Sequence, residues 1–200
     1  TENTAVGAGS FYYNTTGSNN VAIGRLALFN NTTAQANIAV GVSALAANTT
    51  GAFNTAIGNR ALVTNTSAAG NVAVGADALL LTTTGASNTS VGTSSLDANT
   101  TGASNTAVGY SALGANLTGG SNVAVGINSL NANTTGDINI AIGALALVAN
   151  TTGTQNCAIG YAALTANTTA GYNVAMGVNA LSSNTTGASN TGLGTAALGA

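Results

Sequence analysis

Apolar, small and polar positions recur along this chain every 17 residues, from Asn3 to the last residues, without insertion or deletion. The clearest markers are the glycines Gly7, Gly24, Gly41 and their successors to Gly194, each preceded directly by Val, Ile, Leu or Met and four residues earlier by Asn. A fixed period this short predicts a solenoid, in which each copy of the unit is one coil stacked on the last.

Residues 105–121 illustrate the unit. Its first arm alternates, with Thr106 and Val108 on one face and Asn105, Ala107 and Gly109 on the other, the two-residue period of a β-strand. The Val108 position is Val or Ile in ten of twelve copies, which suits a pleated surface. Gly109 then permits the left-handed backbone or close approach that a coil corner requires. The second arm, Ser111 to Ala115, sets small and large apolar residues side by side, so that a strand and a helical turn both fit. The Leu113 position is Leu in eleven copies and Phe11 in the other, which predicts the main filler of a narrow core with Ala112 leaving room for the opposite wall. The third element, Asn116 to Gly119, is Asn-Thr-Thr-Gly in most copies and reads as a turn.

The expected fold is therefore an all-β parallel β-solenoid, or β-roll, of twelve 17-residue coils occupying residues 1–200 as one repeat body. Two strands of about four or five residues per coil would form two sheets. With about 4.8 Å between coils, the rod should be roughly 58 Å long. Both ends fall inside the repeat without a polar capping coil, which predicts an excerpt of a longer fibre. In-register stacking turns each recurring residue into a ladder. Asn3, Asn20, Asn37, Asn54, Asn71, Asn88, Asn105, Asn122, Asn139, Asn156, Asn173 and Asn190 should form a structural ladder whose side-chain amides bond one another, since buried polar groups need partners. The absence of proline agrees, because a missing N–H would break each ladder.

Composition narrows the function. Only 3% of residues are charged, against roughly 25% in ordinary soluble domains, so Asn, Thr, Ser and small residues must cover the surface. Arg25 and Arg60 face Glu2, Asp77, Asp97 and Asp137, and there is no lysine to neutralise phosphates, which argues against a nucleic-acid partner. No apolar run approaches the roughly 18 residues of a membrane span. Cys157 has no intrachain partner and occupies the register of Val21, Ile38 and Val174, so it reads as a small core residue. Histidine and lysine are absent and the carboxylates lie in separate copies. No acid–base pair, metal cage or cofactor site is expected, and no enzyme.

The sharpest candidate chemistry is the sequon Asn-x-Thr/Ser, an acceptor for N-linked glycans. It recurs in one register at Asn14, Asn31, Asn48, Asn65, Asn99, Asn116, Asn133, Asn150, Asn167 and Asn184, with Asn30 and Asn88 off that register. The plainer reading is a turn whose side chains bond the backbone, supported by the copy in which Thr82 replaces Asn while Thr84 keeps the hydroxyl. The adjoining threonines, Thr15, Thr32, Thr49 and their register mates to Thr185, offer an array that could order water or ice, interrupted by Leu117. Phe11, Tyr12 and Tyr13 cluster in the first copy, Tyr110 and Tyr161 share one register, and Phe53 and Tyr172 another. They suit packing in a core or between subunits, or stacking on sugars. The charged residues read as isolated surface groups.

The string Asn-Thr-Ala-Val-Gly-x-x-Ala-Leu resembles the head repeats of trimeric autotransporter adhesins, whose motif centres on Val-Ala-Ile-Gly; Asn20 to Gly24 is the nearest copy. Residues 105–119 and 156–169 are also similar to repeats in bacterial and phage tail-fibre-like proteins. These resemblances imply a left-handed parallel β-roll, often homotrimeric, in an extracellular fibre or adhesive head. The expected function is thus a structural fibre or filament module at an extracellular, cell or virion surface, displaying a repetitive Asn/Thr face, with covalent glycans along one ladder if its sequons are occupied. Its expected partner is itself, in a head-to-tail filament or homotrimer. An adhesin head and an ice-binding solenoid are the alternatives.

Overall fold

The computed structural model describes residues 2–199. Twelve parallel three-residue strands, from β1 (Thr4–Val6) and β2 (Val21–Ile23) through β7 (Thr106–Val108) and β8 (Val123–Val125) to β12 (Thr191–Leu193), lie in sequence order in one sheet. Each strand pairs with the same residues 17 positions on, as in Thr106↔Val123, Ala107↔Ala124 and Val108↔Val125. The chain is an all-β parallel solenoid, and the described residues contain no helix. Eleven coils are complete, and the twelfth, from Asn190, is partial.

The coil has one strand and one sheet, where two of each were expected. Ser111 and Leu113 both adopt left-handed backbone, with φ of 49° and 56°, so the second arm is neither strand nor helical turn. Their N–H groups point to opposite neighbours: Ser111 donates to Thr93 O at 3.1 Å and Leu113 to Ser129 O at 3.0 Å. Backbone bonding to adjacent coils thus continues beyond the strand, through Ala115 N to Asn131 O (2.9 Å), Leu117 N to Thr134 O (2.9 Å) and Ser121 N to Ala103 O (3.0 Å). A left-handed residue other than glycine costs about 1–2 kcal/mol. The same residues recur in this state from coil to coil, including Leu28, Leu45, Leu62 and Leu79, so the stack must offset that strain everywhere.

The core is a single file of alanines and leucines. Ala107, Ala112 and Leu113 are fully buried, as are Ala124, Leu130, Ala141, Ala146 and Leu147 in the next two coils. The strand turns its alanine inward and its β-branched residues outward. A coil this small encloses too little volume for Val or Ile opposite Leu, whereas alanine lets leucine fill the space at native density. Cys157 follows the strand rule: in β10 (Cys157–Ile159) it lies on the outward face, half-exposed, rather than in the core. The corner after the strand requires glycine for two reasons. Gly109 has φ of 134°, and a Cβ there would stand 2.6 Å from the carbonyl oxygen of Gly126 in the next coil.

Candidate functional surfaces

In most coils two asparagines converge on one carbonyl. In residues 122–138, the Nδ2 of Asn122 donates to Gly136 O at 2.8 Å and the Nδ2 of Asn133 donates to the same oxygen at 2.9 Å. These bonds tie the strand start and the turn to one point and close the coil. Between coils the two asparagines act differently. Asn122 Oδ1 accepts the backbone N–H of Asn139 at 2.9 Å and its side-chain amide at 3.2 Å. Asn133 donates to Asn116 Oδ1 at 2.9 Å and accepts from Asn150 Nδ2 at 3.0 Å.

The strand asparagines, Asn20 through Asn173, are buried, with Asn3 and Asn190 partly so. Their main link is backbone N–H to side-chain oxygen, with amide-to-amide bonding longer where it occurs. The amide-to-amide bonding expected of them is present at seven of their eleven steps, and the sequon register carries it more regularly, with a break between Asn65 and Thr82. Asn31, Asn48, Asn65, Asn99, Asn116, Asn133, Asn150 and Asn167 are fully buried, and Asn14 and Asn184 are half-buried. At Asn116 both amide hydrogens are committed, to Asn99 Oδ1 and Gly119 O at 2.9 Å each. The nitrogen that would carry a sugar therefore faces the interior, and a glycan at the buried positions is incompatible with the folded coil. The sequon's Asn supplies the rung, and its middle residue supplies the adjoining inter-coil bond, as in Thr134 Oγ1 to Thr151 O at 3.0 Å.

This bond also defines the threonine array. The hydroxyls of Thr15, Thr32, Thr49, Thr100 and Thr151 likewise donate along the rod to the next coil's carbonyl, at 2.8 to 3.1 Å. Their hydrogens are directed along the axis rather than outward. The following threonines, including Thr84, Thr101, Thr118 and Thr135, are exposed, as are Thr15, Thr66 and Thr185 of the array itself.

Away from the rungs, two local constellations stand out. Tyr12 stacks on Phe29 with ring centroids 5.5 Å apart, and Tyr13 meets both rings edge-on at 4.9 and 5.1 Å. Beside them a shallow groove is lined by Tyr13, Thr15, Asn30, Thr32, Ala47 and Thr49. Phe11 alone of the first-copy aromatics packs on the core, while Tyr110, Tyr161, Phe53 and Tyr172 are exposed. Arg60 and Asp77 are not isolated: Arg60 Nε donates to Asp77 Oδ1 at 2.8 Å on the surface, and this pairing holds the guanidinium pKa above its ordinary value. Both associations were accessible from the period, because Phe29 follows Tyr12 and Asp77 follows Arg60 by 17 residues. Among the described residues no three His, Cys, Asp or Glu side chains gather as a metal-binding group, and no helix is long and apolar enough to cross a membrane.

Comparison of the chain with family models, curated proteins and solved structures finds no match.

Proposed function

We propose that this chain is a rod module of a fibre at an extracellular, cell or virion surface, and that its function is reach and uniform display. The observation that carries this reading is the repeated clamp, in which two asparagines and the surrounding backbone bind coil to coil along the rod, with one break where Thr82 replaces the turn asparagine. Such a unit adds length without altering what flanks it, because a coil's buried polar groups are satisfied by neighbours of the same kind wherever the repeat is intact. Deleting residues 105–155, three whole periods, should shorten the rod by roughly 14 Å and leave one cooperative unfolding transition. Small-angle scattering with thermal melting checks this. Collapse to a compact particle, or separate transitions for the two remaining segments, would overturn it.

A second reading, an adhesive head, is favoured by the three-ring cluster and its groove. Exposed tyrosine faces beside threonine and asparagine side chains can stack on a sugar and bond its hydroxyls. Saturable binding on a glycan array, abolished by Tyr13→Ala with the melting temperature unchanged, would select it over a purely mechanical role. Signals equal for both chains would reject it.

A further inference from the structure

The outward face of the sheet is built from the first and third residue of each strand. Those 24 positions in twelve strands hold only Thr, Val, Ile, Cys, Met and Leu, with no charge and no amide. Ile23, Ile57, Val91, Val108 and Ile142 remain 36 to 40% exposed there, although strand residues of this type are normally covered. The stripe exposes on the order of 1,000 Å² per rod, above the roughly 300–600 Å² of the largest apolar patch on a typical monomer and comparable with the roughly 800 Å² that each partner buries in a stable complex.

We propose that this face packs against the same face of a second copy of the chain, sheet on sheet. Two features select a second copy. Side chains on the stripe repeat once per coil, so only a surface with the same rung spacing can interdigitate along the full length, and a second copy has that spacing by construction. The stripe also lacks charge, so two copies meet without electrostatic repulsion, while an acidic or basic partner finds no complement. Parallel β-sheets normally have both faces covered; here alanine and leucine cover one, and a partner sheet about 10 Å away covers the other. This inference deepens the fibre reading by naming its lateral partner.

Sedimentation velocity of the full chain over a concentration series should show species at twice the 19.0 kDa chain mass or a higher multiple. The pair Ile57→Lys with Val91→Lys places charge on the stripe and should weaken association by about ten-fold or more, since each lysine would be buried unpaired. The pair Thr84→Lys with Thr118→Lys, on the exposed edge away from the sheet, should leave it unchanged. Cys157 supplies a reading on the unaltered chain: it lies on the stripe, and its rate of maleimide labelling should fall several-fold as association proceeds. The inference is overturned by a monomer at every concentration, by equal weakening from both lysine pairs, by labelling of Cys157 at one rate throughout, or by monomeric rods that float with phosphatidylcholine vesicles. None of these outcomes alters rod length, so the pairing can fail while the fibre reading stands.

Discussion

Two neighbouring coils depart from the repeat in opposite ways. In residues 71–87, Thr82 occupies a rung that is otherwise Asn. Its hydroxyl donates to Asn99 O at 3.2 Å, and no amide remains to reach back to the preceding coil. Asn65 Oδ1 is left buried without a partner. In residues 88–104 the polar intrusion is larger, since Ser90 and Ser95 both replace core alanines. Ser90 Oγ nevertheless donates to Ser95 O at 2.8 Å, Ser95 Oγ donates to Gly92 O at 2.9 Å, and the two hydroxyls meet each other. A substitution satisfied within its own coil leaves its neighbours undisturbed. One that falls in a ladder is felt by the coil below.

The largest effect should come from breaking an intact rung. Asn133→Ala leaves Asn116 Oδ1 without its donor and frees one amide hydrogen of Asn150, each buried; at about 1–3 kcal/mol per orphan, stability should fall by about 3 kcal/mol or more in urea denaturation. A loss below about 1 kcal/mol would deny the ladder its role. Repairing the existing gap should do the reverse on a smaller scale. Thr82→Asn supplies Asn65 Oδ1 with an amide and should raise stability by about 1–2 kcal/mol, and an unchanged denaturation midpoint would count against the orphan account. The doubly substituted Ser90→Ala, Ser95→Ala chain should stay within about 1 kcal/mol of the parent, because both partners of a satisfied pair leave together.

The smallest effect concerns pH. Burial is the main cause that raises the Asp97 carboxyl above its ordinary value of 3.8, and Asp77 adds to it. A pKa raised by folding favours the folded state below the unfolded value and withdraws that advantage as pH rises through the folded value. Asp97→Asn should therefore gain on the parent chain from acid toward neutral pH. A stability difference that is flat across this range would remove burial of the charge as the cause.

The recurring glycine, the strand alternation and the leucine file were legible because each depends only on spacing. The use of the faces was not. Alternation defines two faces without saying which is interior, and hydrophobicity alone favours burying Val and Ile before Ala. Cys157 was misplaced for this reason. The sequon misled similarly: Asn-Thr-Thr is the motif of an exposed acceptor, yet the same Asn can fill a buried rung when identical residues stand above and below it. Local preference also argued against left-handed leucine, and Leu113 adopts that state because packing in the core and bonding to the next coil together outweigh a local penalty of about 1–2 kcal/mol.

By itself, then, the sequence determined the period, the parallel stacking in register and the rule that every recurring residue becomes a ladder, since an unbroken repeat leaves no other register in which all coils are equivalent. Tertiary structure alone decided that alanine and not valine faces inward, that the turn asparagine is a rung and not a surface acceptor, and that one sheet rather than two encloses the core. The physical reason is volume. A 17-residue coil closes around a space already filled by one leucine and its alanines, so the Val and Ile of the strand must find their place outside.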